Sequence, residues 1–163
     1  THYYFVLDSR AIMCYTVYTV KERRHTMKGM IYWDLDGSLN LFYVGSWLED
    51  ILARNPRPYI EAKCQIKEET LLHLISLGYE LGVISWLAKD STKEYDNLVR
   101  KAKKDWLKRN YPNIKFKEIH IVKYGTPKWK VAKDRNGILF DDEEKNRKDW
   151  KGKSYEPLEV FSF

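Results

Sequence analysis

The chain has 163 residues, a formal net charge of +6 and 44% hydrophobic residues, with a sequence pI near 9.1. That length suits one domain, and that apolar fraction excludes wholesale disorder. No apolar run approaches the roughly 18 residues of a membrane span, so no membrane association is expected. Asp8 and Arg10 interrupt the apolar run that a secretory signal would need. Cys14 and Cys64 form no CxxC pair, so neither a disulfide framework nor a zinc cluster is expected, and a reducing, cytoplasmic compartment is. The basic balance would tolerate a polyanion such as nucleic acid, but lysines on solvated helix faces are the favoured account of it.

In chain order, residues 1–26 read as an N-terminal extension. Residues 3–7 and 14–20 suit two strands of a hairpin around Asp8-Ser9-Arg10, followed by a basic connector at 21–25. The main domain is taken as 27–163. Residues 29–33 form a short apolar run ending at Asp34, which reads as a buried strand. A short helix is predicted over 47–53, stopped by Asn55-Pro56-Arg57-Pro58. Leu71, Leu72, Leu74 and Ile75 mark a helix over 67–77 that ends at Gly78. Residues 81–85 are the next strand. Ser91 or Thr92 caps a long helix running to about Arg109, with Tyr95, Leu98, Val99, Ala102 and Trp106 as its apolar stripe. Strands follow at 119–122 and 137–140, then a short helix over 143–150 and an edge segment at 154–160. Alternating strands and helices predict an α/β fold, a three-layer sandwich around a mostly parallel five-stranded sheet. Ligands of such sheets sit beyond the carboxyl ends of the strands.

Two strand ends carry clustered acids: Asp34-Leu35-Asp36-Gly37-Ser38 after the first strand and Asp141-Asp142 after the fourth. Four neighbouring carboxylates repel unless a cation or protons offset them, and hard oxygen ligands in this number suit Mg²⁺. A carboxylate is also a competent nucleophile towards phosphorus, and a second one can give and take protons. A calcium-type loop fails, because the twelfth position holds Gly45 rather than Glu. Ser85 ends a strand, where its hydroxyl can hold a phosphate oxygen. Lys128, with Lys123, Lys130 and Lys133 as rivals, is placed to offset negative charge.

Together, Asp34-Leu35-Asp36-Gly37-Ser38, Ser85, Lys128 and Asp141-Asp142 resemble the four motifs of the haloacid dehalogenase-like superfamily, over residues 28–155. The stretches 33–50, 83–88 and 124–128 look most similar to its short 5′-nucleotidase-like phosphatases from bacteria and phages. The resemblance implies a Mg²⁺-dependent phosphomonoesterase. Asp34 would be the nucleophile and Asp36 the acid and base, while Ser85 and Lys128 would bind the phosphoryl oxygens. Asp34, the Asp36 carbonyl, Asp141 and Asp142 would hold the metal. Position 38 is Ser, where the family more often has Thr or Val.

Only about 28 residues separate Ser38 from Lys67, and about 14 separate Val122 from Gly137. That leaves room for a flap and a short helix but not for a folded cap, so an open site is expected. Tyr43 and Trp86 are candidates to contact a nucleobase, whereas Trp47 reads as core. Arg57, Lys89 and the lysines of the long helix, Lys103 among them, read as solvated surface. His73 and His120 read as satisfied core residues. The expected substrate is a nucleotide or deoxynucleotide monophosphate. The alternatives are a phosphatase of nucleic-acid 3′ ends and a non-catalytic nucleic-acid-binding module on the same fold.

Overall fold

A computed structural model describes residues 27–163, so Cys14 and the hairpin expected in residues 1–26 lie outside the described residues. In chain order the elements are β1 (Gly29–Trp33), β2 (Asn40–Leu41), α1 (Trp47–Leu52), α2 (Arg57–Glu61), β3 (Lys63–Cys64), α3 (Glu68–Ser76), β4 (Tyr79–Trp86), α4 (Lys93–Asn110), β5 (Glu118–Val122), α5 (Lys128–Val131), β6 (Ile138–Phe140), α6 (Glu144–Asp149) and β7 (Ser154–Tyr155). A 3-10 turn at Pro157–Ser162 closes the chain. The fold is α/β. Five strands in the order β5-β4-β1-β6-β7 make an all-parallel sheet, and β2 and β3 pair antiparallel beside it.

Alternation along the strands sends side chains to both faces of the sheet. Ile31 and Trp33 of β1 join Leu81 and Val83 of β4 in one core, closed by Leu71 and Leu74 of α3 and by Trp106 and Leu107 of α4. Met30 and Tyr32 point the other way, packing with Ile84, Leu139, Ala132 and Trp150. A sheet covered on both faces needs strands that are apolar throughout, which is why β1 and β4 read as continuous apolar runs rather than alternating ones. Among the described residues, no helix is long and apolar enough to cross a membrane.

The helix ends follow local chemistry. Thr92 caps α4, its Oγ1 accepting from the Tyr95 N–H at 3.3 Å. Gly78, at φ +97°, takes the left-handed position after α3. Several expectations shift. Asn55-Pro56-Arg57-Pro58 stops α1 but also starts α2, whose first turn accepts proline because no backbone N–H is needed there. The segment at 154–160 pairs only through Ser154–Tyr155, because Pro157 has no N–H for a ladder and the Glu156/Glu159 capping box turns the chain instead. Leu98 leaves the stripe of α4 and stands half-exposed, while Lys103, expected in solvent, is completely buried. His73 is exposed rather than core, and His120 is half-buried against Glu118 at 2.7 Å.

Gly82 lets Tyr32 lie across β4: an added Cβ would meet the Tyr32 ring at 2.9 Å. The ring cannot retreat, because its hydroxyl donates to Glu118 and its edge packs on Trp150. Gly82→Ala is therefore expected to cost roughly 1–3 kcal/mol, read as a lower urea midpoint at unchanged m-value.

Candidate active site

Parallel strands put all their carboxyl ends on one edge. From β1 the chain goes to β4 and β5 on one side, then crosses to β6 and β7 on the other. The switch point between β1 and β6 is where such a sheet leaves a crevice. Asp34 and Asp141 follow directly on these two strands. The Asp34 N–H donates to the Phe140 carbonyl at 2.9 Å and the Asp141 N–H to the Tyr155 carbonyl at 3.2 Å. Trp33 and Phe140, paired in register, stack with ring centroids 4.4 Å apart, which locks the two acid-bearing ends together.

Lys128 fills the space between these acids. Buried at the start of α5, its Nζ lies 2.8 Å from Asp34 Oδ1 and 2.6 Å from Asp141 Oδ2. Lys123, Lys130 and Lys133 are exposed, so of the four lysines only Lys128 reaches the acids. Asp141 Oδ1 accepts from the Glu143 N–H (3.0 Å) and from Asn146 Nδ2 (3.2 Å), and Arg147 Nη1 donates to the Asp141 and Asp142 carbonyls, both at 2.7 Å. Ser38 is fully buried, its Oγ accepting from the Asp142 N–H at 3.1 Å. Gly37 has φ +79°, which the tight turn requires of glycine, and an added Cβ there would displace the Asp142 carboxylate and the Tyr43 ring. Asp34, Asp141 and Asp142 each offer a carboxylate oxygen within 4.8 Å of the others, close enough to share one metal ion.

On the other side of the crevice β4 runs past β1. Val83 pairs with Trp33, so Ser85 stands two residues further out, and it is buried. Lys103, from the middle of α4, reaches it: Nζ lies 2.8 Å from Ser85 Oγ, 2.5 Å from Asp36 Oδ2 and 2.5 Å from the Trp86 carbonyl. The sequence reading missed this lysine, as it missed Asn146 and Arg147.

A cavity of about 590 Å³ opens at this edge. Asp34, Asp36, Tyr43, Trp86 and Lys128 line it; Ser85, Asp141 and Asp142 adjoin it without lining it. Residues 39–66, expected as a flap with one helix, supply β2, α1, α2 and β3. Phe42 and Tyr59 are buried within this flap, as are Leu39, Asn40 and Ile66 at its two ends. Trp47, expected as core, is half-buried and lines the cavity while its ring packs on Phe42 and Tyr43. Trp86 Nε1 donates to the Thr126 carbonyl at 2.8 Å, and its ring lies 5.5 Å from Lys128 Nζ. Arg57 is tied to Asp50 and Ser46, while Lys89 stands exposed on the rim. Arg54 and Asp90, non-glycine residues with φ of 56° and 51°, also lie on the lining, as strained residues often do at such edges.

The charges are unevenly balanced. Four carboxylates face two ammonium groups. Burial pushes the Asp142 carboxyl up to about 7, with Asp34 and Asp141 adding to it. Burial raises Asp141 too, against the opposing pull of Lys128, and raises Asp36 against Lys103. Burial alone would lower Lys128, but Asp34 and Asp141 outweigh it and hold the ammonium well above its ordinary value. Such a site can hold a cation, hold protons, or do both in turn.

No protein-family model matches the chain, and no curated protein matches it significantly.

The Asp142 shift sets a sign for stability. With a carboxyl raised from 3.8 to about 7, the folded chain holds protons that the unfolded chain releases, so stability falls as pH rises through that window. Asp142→Asn removes the effect. Its melting temperature at pH 8 in chelator should exceed the parent's by a few degrees, on the order of 1–2 kcal/mol after allowance for partial exposure. The gain should vanish near pH 4. An added divalent cation should stabilise the parent more than the variant.

Proposed function

We propose that the chain is a haloacid dehalogenase-like phosphomonoesterase that acts through a phosphoryl-aspartate on nucleotide or deoxynucleotide monophosphates. The observation that carries the reading is the convergence of Asp34, Asp36, Lys128 and Asp141 on one switch point, two of these acids following directly on neighbouring parallel strands. Helices on both faces of the sheet are compatible with the three-layer arrangement of that superfamily.

In this reading an oxygen of Asp34 bonds to phosphorus. The phosphorus–oxygen bond of the ester breaks as Asp36 gives its proton to the departing oxygen. Asp36, now a carboxylate, takes a proton from water as that water attacks the same phosphorus. The bond to Asp34 breaks and inorganic phosphate leaves. Lys128, in contact with Asp34, and the Ser85 hydroxyl receive the phosphoryl oxygens. The donor set suits Mg²⁺: the three carboxylates are hard oxygen ligands close enough together to share one ion. Asp34, Asp141 and Asp142 would hold the ion with the Asp36 carbonyl, and when bound it would offset charge on the transferring group.

The cavity has the size of small-molecule sites. Tyr43, half-exposed on its lining, is the ring best placed to meet a nucleobase, whereas Trp86 is engaged with Thr126 and Lys128. The net charge of +6 and the absence of a folded cap between residues 38 and 67 favour a second reading, the removal of phosphate from nucleic-acid 3′ ends.

The test is phosphate release with Mg²⁺ from 5′- and 3′-mononucleotides, a 3′-phosphorylated oligonucleotide and a phosphopeptide. Release from mononucleotides is expected, reduced at least about 1,000-fold by Asp34→Asn. Tyr43→Ala should raise KM for mononucleotides about tenfold at unchanged kcat. Release from the oligonucleotide alone would transfer the reading to 3′ ends. No release from any of them, with binding of single-stranded DNA retained, would replace the enzyme by the binding module.

A further inference from the structure

Lys103 is completely buried in the middle of α4, yet it is neither one of the acids nor one of the phosphoryl-binding residues named above. A lysine ammonium has three donors and no acceptor. All three are committed here: to Asp36 Oδ2 at 2.5 Å, to Ser85 Oγ at 2.8 Å and to the Trp86 carbonyl at 2.5 Å. The Tyr59 ring covers the cation, with its centroid 5.0 Å from Nζ.

Two consequences follow from donor counting alone. Ser85 Oγ must accept from Lys103, so its own hydrogen is directed elsewhere and is left to be donated to another acceptor. Asp36 Oδ2 is engaged, while Asp36 Oδ1 is buried and has no hydrogen-bond partner. A buried carboxylate oxygen without a partner is costly unless something at the site meets it, and Asp36 lines the cavity.

We propose that Lys103 is a positioning residue that fixes Asp36 with Oδ1 as its one proton-exchanging oxygen and orients the Ser85 hydroxyl as a donor. The proposal rests on the phosphomonoesterase reading. It adds that the acid–base group is held from below the site by α4 rather than by its own loop. Lys103 touches neither substrate nor reacting atoms; it acts through Asp36 and Ser85.

The variant is Lys103→Met, which keeps the stem and removes the donors. The readout is kcat/KM on an alkyl monophosphate, whose leaving oxygen needs a proton, and on p-nitrophenyl phosphate, whose leaving oxygen does not. The expected loss is about 100-fold on the first and under tenfold on the second. Asp36→Asn should show the same split, and the double variant should be no worse than the worse single one. Lys103→Gln, which keeps a donor, should recover part of the loss on the alkyl ester. Equal losses on both substrates, or additive losses in the double variant, would overturn the proposal. Should Lys103→Met leave Asp36 too poorly compensated to fold, the neutral Lys103→Met/Asp36→Asn pair and Lys103→Gln carry the comparison. A measurement independent of turnover separates the two readings. In ¹⁵N spectra of the lysine ammonium groups, the Lys103 resonance should shift in Asp36→Asn and in Ser85→Ala. A resonance that shifts in neither overturns the positioning role. A resonance that shifts in a chain inert towards every monophosphate overturns the phosphatase reading and leaves the contact standing.

Discussion

Four carboxylates brought to one edge of a parallel sheet are the constraint that everything else accommodates. Asp34, Asp36, Asp141 and Asp142 cannot all stay ionised there without help, and Lys103 and Lys128 offset only half of their charge. The cost is borne by the apolar sheet beneath. Trp33 and Phe140 are fully buried and stack in register, so β1 and β6 cannot slide apart to relieve the repulsion without exposing both rings. Hydrophobic burial is non-directional, but here it fixes the directed chemistry, because a strand's last apolar residue determines where the first polar one stands.

Each acid is then held by a different local device. Asp141 is held most tightly, with three donors on its carboxylate and Arg147 on its carbonyl. Asp142 is set by Ser38, fully buried on the turn that Gly37 allows. Asp36 is held from α4 by Lys103, 67 residues further along the chain. The site therefore joins β1, β6 and α4, and Gln65 adds the flap by donating to the Gly37 and Ser38 carbonyls. A disturbance in any of these elements reaches the acids.

Much of this could be read from the sequence, for a physical reason. The order of strands and helices, the acids after residues 33 and 140, and the caps at Thr92 and Gly78 are local signals: an apolar run, then a polar residue or a glycine. Lys103 was missed because its burial is a matter of helical angle. An apolar stripe of Tyr95, Leu98, Val99, Ala102 and Trp106 centres the buried arc too near Leu98. The observed arc runs through Val99, Ala102, Trp106 and Leu107. At about 100° per residue, Lys103 lies about 40° from Val99, and Leu98 lies about 100° from it. The steps from Val99 to 103 and from 103 to Leu107 were the available signal, but a charged residue on a buried face is discounted unless its partner is known. Of the flap, the helix at Trp47–Leu52 was legible, but the second helix at Arg57–Glu61 and the two-residue strands are too brief to show a period.

The pairing of Lys128 with two acids bears on how a phosphorylated ligand and a cation would share the crevice. Its ammonium is engaged with both Asp34 and Asp141, as Lys103 is with Asp36. A phosphate monoester arriving alone would meet surplus negative charge, with both ammonium groups already committed to carboxylates. A divalent cation on Asp34, Asp141 and Asp142 would change that balance. It would take over the carboxylate charge that Lys128 now offsets and free that ammonium for the phosphoryl oxygens. In the proposed reading, anion and cation binding would be coupled through one lysine, and each would strengthen the other by the same factor. Lys103 stands outside this exchange, since its three donors are all engaged with protein groups and it does not itself line the cavity. One buried lysine is thus placed to turn from protein to ligand while the other stays with the frame, and the difference lies in what each can reach: Lys128 lines the cavity, and Lys103 does not.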